Sequence, residues 1–417
     1  MFKVAVCGCG VVGSGVADIL IQQKEKLSAR FNTEVCLGYI LDIRDFEGTP
    51  YAPYMAKDVE TILADEDVKL FSVTIGGLDF AYQLCRRALE AGRHVVTSNK
   101  EVVAAYGREL EQLAYDHRVR FLYEASAGGG IPVIRPLNIC IYANDIYEIQ
   151  GILNGTTNYM LTGMYRDKMS FDDILKDAQA KGFAEANPSA DVDGYDAARK
   201  IAILSSISYG AWVDYNDVAC TGIREVVYAD HELAASAGYA IKLIAGSKLQ
   251  SGEVQVSVEP KLVPRNSMLA SVNSVYNAVL TKGSYTGDTL FYGQGAGKLA
   301  TASAVLGDII EILGRPSVDT LPPFVTKNAN VVKEDHASYR FFVRFKAGFS
   351  EDETDEIAAC VRSTFGSASN FIGFALADST LGGFITDYCT KKELTTLLDK
   401  FTSVANVEIQ YTIKVLD

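Results

Sequence analysis

The chain has 417 residues, of which 48% are hydrophobic, and this length allows two or three domains with cores of their own. Its formal net charge of -13 would repel a phosphate backbone, and no stripe of Lys and Arg is interleaved with aromatic residues. These features exclude nucleic acid as a partner.

The chain opens directly on an apolar segment that predicts a strand. It has no basic segment followed by an apolar stretch and a cleavage site, which a secretory signal would need. Nowhere do about 18 apolar residues follow one another, the length needed to cross a membrane. We therefore expect a cytoplasmic protein without a membrane partner.

Residues 2–126 alternate between apolar runs and helical patterns. The predicted strands are Phe2–Cys7, Glu34–Leu41, Leu70–Ile75, His94–Thr97 and Arg120–Glu124. The predicted helices are 13–28, 58–64, 79–91 and 101–117. Such alternation is typical of βαβ units that build a parallel sheet covered on both faces. It predicts an α/β fold with a Rossmann-type domain over residues 1–142, which ends in a glycine loop and an apolar stretch.

A glycine motif stands between the first predicted strand and the first predicted helix. Gly8, Gly10 and Gly13 match G-x-G-x-x-G. The first glycine allows a tight turn, the second lets a diphosphate approach the backbone, and the third lets helix and strand pack closely. The helix N-terminus at Val11 and Val12 then faces the diphosphate. A purely structural glycine turn is the alternative, and the βα units that follow favour binding of NAD(P).

The residues at the end of the second predicted strand should contact the adenosine ribose of the cofactor. Asp42 there would accept a hydrogen bond from a free 2′-hydroxyl, which favours NAD. Arg44 would pair with a 2′-phosphate, which favours NADP. The sequence leaves both readings open.

Residues 143–292 change to a mixed pattern. Strands are predicted at Glu148–Leu153 and Val254–Pro260, and helices at 171–181, 194–210 and 230–244. This pattern predicts a second, mixed α/β domain.

The remaining segments divide into three parts. Residues 293–315 hold a glycine-rich loop and an apolar helix, predicted to pack back on the first domain. Prolines mark a linker over 316–336. Residues 337–417 show the order βαββαβ, which predicts a small, separate ferredoxin-like domain.

Two lysines are candidates for catalysis. Lys100 follows a predicted strand at the carboxyl edge of the parallel sheet, where open α/β folds bind ligands. Lys200 lies on a predicted helix with Asp196 one turn earlier and apolar residues on the same side. Partial desolvation would lower the pKa of such a lysine toward a range useful for proton transfer. The alternative makes Asp196 and Lys200 a solvated surface pair.

Other segments gather polar groups. A loop with Glu185, Asp191 and Asp193 has carboxylates that could receive an ammonium group, or that are simply solvated. Residues 154–158 have hydroxyl and amide groups that could bind a polar substrate, or they form a turn. Residues 124–131 have backbone carbonyls that could bind a monovalent cation, or they form a hinge. The eight cysteines are expected to be reduced core thiols. No His or Cys spacing indicates zinc or a histidine dyad.

Taken together, these strings resemble homoserine dehydrogenase over about residues 1–315. The matching motifs are GCGVVGSGV at 8–16, VVTSNKE at 95–101, YEASAGGGIPVI at 123–134, GILNGTTNYML at 151–161, KGFAEANPSADVDGYDAARK at 181–200 and YGQGAGKLATASAV at 292–305. The resemblance implies reversible reduction of L-aspartate 4-semialdehyde to L-homoserine with NAD(P)H. It also implies a substrate-binding and dimerisation domain over 143–292, a homodimer or homotetramer, and an ACT-like regulatory domain over 337–417 with an amino-acid effector.

The resemblance implies roles for individual residues. Lys100 and Lys200 match the two active-site lysines, with Lys200 as the proton donor. The implied substrate contacts are Gly155, Thr156, Thr157, Glu185, Asp191 and Asp196. Glu185 and Asp196 also count among the implied catalytic residues, because they hold the amino group and orient the lysine. Further implied cofactor contacts are Thr74, Lys100, Gly182, Glu185, Gly295 and Gly297. Carbonyls of a sodium- or potassium-type site match Glu124, Ala127, Gly129 and Ile131.

The sequence departs from the family's pattern at a few positions. Phe183 and Asn187 stand where Tyr and Asp are frequent, so that one hydroxyl and one carboxylate are missing near the substrate. The turn 346–350 lacks the Asp-x-Pro-Gly often found in ACT domains. Two other hypotheses are a sugar dehydrogenase, whose usual Glu-Lys-Pro is absent at Lys100, and a non-catalytic NAD(P)-sensing regulator.

Overall fold

The computed structural model describes residues 1–315, 325–332, 337–347 and 354–416. The helices are α1 Val11–Gln22, α2 Lys24–Phe31, α3 Val59–Leu63, α4 Asp79–Glu90, α5 Lys100–Asp116, α6 Gly155–Arg166, α7 Phe171–Ala180, α8 Ser189–Val192, α9 Tyr195–Tyr209, α10 Tyr228–Ser236, α11 Lys298–Gly314, α12 Thr354–Phe365 and α13 Lys391–Ala405. The strands are β1 Phe2–Cys7, β2 Val35–Leu41, β3 Val68–Val73, β4 His94–Thr97, β5 Phe121–Leu122, β6 Ile146–Ile152, β7 Ala211–Trp212, β8 Ala219–Cys220, β9 Tyr239–Gln250, β10 Glu253–Pro264, β11 Tyr276–Gly283, β12 Gly287–Gln294, β13 Lys327–Asn328, β14 Asn330–Val331, β15 Phe341–Lys346, β16 Asn370–Phe374, β17 Leu381–Ile385 and β18 Glu408–Val415. Within the described ranges, no helix combines the length and the apolar character needed to cross a membrane.

The chain divides into two compact units, each built from separate stretches. The first unit consists of Met1–Ile149, Arg199–Asp217 and Ala278–Asn330. The second unit consists of Gln150–Ala198, Val218–Asn277 and Val331–Asp417.

The first unit contains the predicted parallel sheet. Its strands run in the order β2-β1-β3-β4-β5, and all neighbours are parallel. The order reverses between β1 and β3, and ligands of such sheets bind outside the carboxyl ends of the strands at that point. The segments that leave these ends are the glycine loop after β1 and the turn that begins at Thr74 after β3.

The last helix of the first unit covers this sheet. The apolar side of α11 joins the core formed by β1, β2 and α1, with Leu306 and Ile309 packed in one cluster with Val16 and Leu20. Gly15 makes the close approach of α1 and α11 possible, since a Cβ there would lie 2.8 Å from the Lys298 carbonyl oxygen.

The second unit contains a sheet in the order β9-β10-β18-β15-β17-β16. The described residues between 341 and 415 follow the order β15-α12-β16-β17-α13-β18, which confirms the predicted ferredoxin-like βαββαβ order. The strand β18 pairs in parallel with β10, and the buried guanidinium of Arg344 on β15 donates to the buried carboxylate of Asp230 on α10 at 2.5 Å. These strands therefore lie in one sheet with β9 and β10.

Three predicted elements differ from the structure. The predicted helix 230–244 is wrong in its second half, because Gly238 with φ +86° follows α10 and residues 239–250 form β9. The predicted helix 13–28 is two helices that meet at Gln23. The predicted strand Arg120–Glu124 shortens to Phe121–Leu122, since Glu124 begins a 3-10 turn.

The prediction for the cysteines is correct in part. All eight thiols are free, and Cys7, Cys9, Cys85 and Cys389 are buried as expected. Cys140 is exposed, so the prediction of a core position is wrong there, because the π-turn 136–140 ends the apolar stretch at the surface. The proline linker is described only at 325–332, and residues 348–350 of the turn without Asp-x-Pro-Gly lie outside the described residues.

Candidate active site

The glycine loop of the first unit leaves the N-terminus of α1 open. Gly8 has φ +90°, and a Cβ there would lie 2.7 Å from the Ile75 side chain. A Cβ at Gly13 would lie 1.8 Å from the Gly8 carbonyl oxygen. A Cβ at Gly10 would meet no atom within 4 Å, and no described side chain caps α1. The free N–H groups of this helix end and the open space beside Gly10 fit the diphosphate of a dinucleotide.

Thr74 fixes the shape of this loop. Its hydroxyl donates to the Gly8 carbonyl oxygen at 2.6 Å, and its backbone N–H donates to the Cys7 carbonyl oxygen at 2.8 Å. Predicted as a cofactor contact, Thr74 ties the turn after β3 to the glycine loop.

Asp42, at the end of β2, contacts the glycine loop directly. One carboxylate oxygen accepts the Cys9 N–H at 2.7 Å. The Arg44 guanidinium folds back and donates to both carboxylate oxygens at 2.9 Å. This bond to Arg44 holds the pKa of Asp42 well below its usual value, so the group is a carboxylate at neutral pH. The Asp42 side chain is 7% exposed and that of Arg44 is 55% exposed, so Asp42 is the residue that lies against the loop.

Lys100 is the first residue of α5 and follows the carboxyl end of β4, as predicted. The neighbouring Asn99 caps this helix, because its side-chain oxygen accepts the N–H groups of Glu101 and Val102. Its amide donates to the carbonyl oxygens of Ile75 and Gly77 at 2.9 and 2.6 Å. Asn99 thus fixes the start of α5 against the turn after β3, a role that the sequence did not reveal.

The helix α9 carries Asp196 and Lys200 one turn apart. Asp196 is 3% exposed and Lys200 is 9% exposed. Ile203, Leu204 and Ile207 on the same helix are buried as well. The alternative of a solvated surface pair is therefore wrong, and Lys200 is a desolvated lysine with an acid on the preceding turn.

Asn154 joins the acids of the second unit. Its amide donates to Asp191 at 2.7 Å and to Asp196 at 2.9 Å. Its side-chain oxygen accepts the Thr157 N–H at 2.8 Å and so caps α6. Sequence reasoning noted the run 154–158 without assigning Asn154 this position. An asparagine followed by a helical pattern is the signal for a cap, but it does not identify the acids on the other side.

Three of the substrate contacts implied by the resemblance form the first turn of α6. Gly155, Thr156 and Thr157 are the first three residues of this helix, because the Asn154 cap starts the helix there. The Thr156 hydroxyl donates to the Phe183 carbonyl oxygen at 2.7 Å, which brings this turn to the segment that holds Gly182 and Glu185.

The segment 182–185 is anchored at both ends. The amide of Gln179 donates to the Glu185 carbonyl oxygen at 3.0 Å, while the Glu185 side chain stays exposed. The ring of Phe183 packs edge-on against Tyr159, with centroids 4.9 Å apart. A phenyl ring at this position therefore supplies packing where the frequent tyrosine would also supply a hydroxyl.

The segment 124–131 meets the second glycine loop inside the first unit. The Gly130 N–H donates to the Gln294 carbonyl oxygen at 3.0 Å, and a Cβ at Gly129 would lie 2.0 Å from the Gly295 carbonyl oxygen. The Glu124 carboxylate accepts the backbone N–H groups of 133, 134 and 135. In the described part of the chain, no group of three or more His, Cys, Asp and Glu side chains could hold a metal ion.

Known proteins resemble this chain in sequence, and their family indicates the function of the site. The family model described as "Homoserine dehydrogenase, NAD binding domain" matches residues 8–124, and the model described as "Homoserine dehydrogenase" matches residues 132–310. A homoserine dehydrogenase of a Synechocystis species is 43% identical over 317 residues, which cover 75% of this chain and 73% of that protein. The chain belongs to the homoserine dehydrogenase family.

Solved structures of homoserine dehydrogenases have the same fold. The enzyme from Thiobacillus denitrificans superposes with a TM-score of 0.87 at 28% identity, and the match covers 100% of this chain and 98% of that one. A hyperthermophilic archaeal homoserine dehydrogenase mutant, solved in complex with NADPH, matches with a TM-score of 0.64 at 27% identity over 75% of this chain and 97% of that one.

Family membership decides among the three hypotheses drawn from the sequence. The protein is an NAD(P)-dependent oxidoreductase that interconverts L-aspartate 4-semialdehyde and L-homoserine. The glycine loop, Asp42 and the open end of α1 are features that fit the dinucleotide, and the acids around Asn154 are features that fit an amino-acid substrate. A sugar dehydrogenase and a non-catalytic sensor do not account for these matches.

Proposed function

We propose that Lys200 is the proton donor and acceptor of the homoserine dehydrogenase reaction. The observation that carries this proposal is the burial of Lys200 on α9 among apolar residues, one turn from Asp196. NAD(P)H, when bound, supplies the hydride that reduces the aldehyde carbon. The resulting alkoxide oxygen takes a proton from the Lys200 ammonium, and in the reverse direction the neutral amine removes the hydroxyl proton.

Lys100 is proposed to assist this step as a second cation. It stands at the N-terminus of α5, held there by the Asn99 cap. A fixed ammonium group stabilises negative charge that develops on the substrate oxygen without having to reorganise during the reaction.

Carboxylates are proposed to bind the amino group of the substrate. Asp196 and Asp191 both accept from Asn154, which fixes their side chains, and Glu185 is exposed on an anchored segment. A substrate ammonium has three N–H donors and pairs well with several carboxylates. Gly155, Thr156 and Thr157 are proposed to line the same place, since Asn154 caps their helical turn.

The kinetic constants of two variants separate these roles. We expect Lys200→Met to lower kcat, and Asp196→Asn to raise the KM for L-homoserine by about tenfold while retaining most of kcat. The measurement is steady-state oxidation of L-homoserine at saturating NAD+. An unchanged KM in Asp196→Asn would show that the amino group is bound elsewhere.

The cofactor preference is proposed to be NAD over NADP. Asp42 lies against the glycine loop as a carboxylate, which accepts a ribose hydroxyl and repels a 2′-phosphate. The Arg44 guanidinium donates to both carboxylate oxygens of Asp42. These groups of Arg44 are therefore not available to bind a 2′-phosphate.

Exchange of Asp42 tests this preference. In Asp42→Ser the negative charge is gone and Arg44 becomes available to a phosphate, so kcat/KM for NADP+ should rise about tenfold or more relative to NAD+. Asp45→Ser is the matched control, because that acid is exposed and accepts the N–H of its chain neighbour Glu47 at 2.9 Å. If the wild type already prefers NADP+, the role given to Asp42 is wrong.

Four further properties are proposed. We propose that the carbonyls of Glu124, Ala127, Gly129 and Ile131 bind sodium or potassium, supported by the close packing of this segment against the loop 293–297. A homodimer or homotetramer and a cytoplasmic location rest on the family pattern. An amino-acid effector at residues 337–417 is supported by the ferredoxin-like order of that region. Activity measured with and without sodium, potassium and threonine tests the cation and the effector.

A further inference from the structure

A third lysine is buried in the second unit, apart from the two candidate catalytic lysines. Lys242 extends from β9 and is 3% exposed. Its ammonium nitrogen lies 2.5 Å from the Val272 carbonyl oxygen, 2.9 Å from Asn273 Oδ1 and 3.3 Å from Asn158 Oδ1. A lysine ammonium has three N–H donors, so each donor has an acceptor.

All three acceptors are neutral. Burial lowers the pKa of Lys242 to about 8, and no acidic side chain is among its three hydrogen-bond partners. Burying an ammonium without a counter-charge costs several kcal/mol, whereas a methionine would fill a similar volume without that cost. The three hydrogen bonds of Lys242 offset part of this cost.

These bonds hold the loop 272–276, which connects the 3-10 turn Met268–Ser271 to β11. The Nδ2 amide of Asn158 on α6 lies within hydrogen-bond distance of three carbonyl oxygens of the same loop and shares its two N–H groups among them, those of Val272 at 3.2 Å, Ser274 at 3.0 Å and Tyr276 at 3.0 Å. Lys242 and Asn158 both bind the Val272 carbonyl and also contact each other. The carbonyl groups of the loop thus surround the Asn158 amide, and the Lys242 ammonium binds the first residue of the loop, Val272.

The loop in turn lies against the first turn of α6. A Cβ at Gly155 would lie 2.9 Å from the Val275 carbonyl oxygen, so only a glycine lets the loop approach this closely. Gly155 and Asn158 belong to the same turn as Thr156 and Thr157. A shift of the loop is therefore transmitted to the helix end that Asn154 caps.

We propose that Lys242 is a positioning residue for the homoserine dehydrogenase reaction, which fixes the first turn of α6 through the loop 272–276 and Asn158. The inference rests on the proposed role of Gly155, Thr156 and Thr157 in binding the substrate. Lys242 acts through this turn and the loop, so its removal affects the binding of L-homoserine and leaves the binding of the dinucleotide unchanged.

The variant Lys242→Met keeps the volume of the side chain and removes its three donors. The KM for L-homoserine should rise about tenfold, while the KM for NAD+ stays within about twofold of the wild type. Lys248→Met is the matched control, because Lys248 lies on the same strand and is exposed. It should leave both constants unchanged.

A second variant keeps the test decisive if Lys242→Met does not fold. Asn273 is exposed, so Asn273→Ala should fold, and it should raise the KM for L-homoserine about threefold by removing one acceptor. The double variant should be no worse than Lys242→Met alone, since the bond between the two residues is already lost.

Two results would overturn the proposal. One is a KM for L-homoserine that stays within about twofold of the wild type in both single variants. The other is an equal rise in the KM for NAD+, which would show a general loss of structure. If the wild-type protein did not turn over L-homoserine at all, the proposed catalytic roles would be contradicted. That outcome differs from the two results above, which are both measured on an active wild type.

Discussion

Lys200→Met is expected to lower kcat for L-homoserine oxidation by about three orders of magnitude, because the reaction would then lack the proposed proton donor and acceptor. Methionine fills the buried space on α9 between apolar neighbours, so the folded state should persist. The measurement is steady-state oxidation of L-homoserine, with circular dichroism as the check on folding.

Binding of the cofactor provides the internal control for this variant. Lys200→Met should bind NADH with the affinity of the wild type in a fluorescence titration, since the glycine loop and Asp42 are untouched. Lys176→Met, at an exposed position on α7, should retain full turnover. If Lys200→Met kept more than about a tenth of the wild-type kcat, proton transfer would have to be assigned to another group.

Gly13→Ala is expected to abolish dinucleotide binding and to destabilise the protein by about 3 kcal/mol or more. The new Cβ would lie 1.8 Å from the Gly8 carbonyl oxygen and 2.6 Å from the Thr74 hydroxyl, so the helix and the strand must separate. Thermal unfolding and NADH titration measure the two effects.

Gly10→Ala distinguishes fold from binding at the same loop. Its Cβ would meet no protein atom within 4 Å, and the φ of Gly10 is negative, at -71°. We therefore expect a melting temperature close to that of the wild type and NADH binding at least about tenfold weaker, because the methyl group enters the space of the diphosphate. Equal stability losses in Gly10→Ala and Gly13→Ala would contradict the assignment of the loop.

The parallel sheet was predictable from the sequence, and one strand of the second unit was not. Residues 2–126 alternate apolar strands with amphipathic helices, so the spacing of the apolar residues differs between one element and the next. Residues 239–250 instead place a run of apolar residues directly after a helix, and a buried strand and a buried helix look alike in such a run. The positive φ of Gly238 and the pairing of β9 with β10 decide the outcome, and pairing between strands is a tertiary effect.

The candidate site was predictable where a motif carries it. The glycines and Lys100 stand in strings whose spacing has a physical reason, and the acid one turn before Lys200 follows from helical geometry. The burial of Lys200, which rules out a surface pair, depends on packing that periodicity alone cannot quantify.

The residues that organise the site were not predictable. Asn154 bridges Asp191 and Asp196, which are 37 and 42 residues away along the chain, and Lys242 reaches Asn158 over 84 residues. An isolated asparagine or a lysine in an apolar strand has no local pattern that reveals such partners. Their roles depend on which side chains the fold brings within hydrogen-bond distance.

The oxidation of L-homoserine with a nicotinamide cofactor is tested most directly by steady-state reduction of NAD+ and NADP+ by the purified protein with L-homoserine, and by identification of L-aspartate 4-semialdehyde as the product. We expect turnover that saturates with L-homoserine and with NAD+, and a higher kcat/KM for NAD+ than for NADP+. Binding of NAD+ without turnover of L-homoserine would contradict this function.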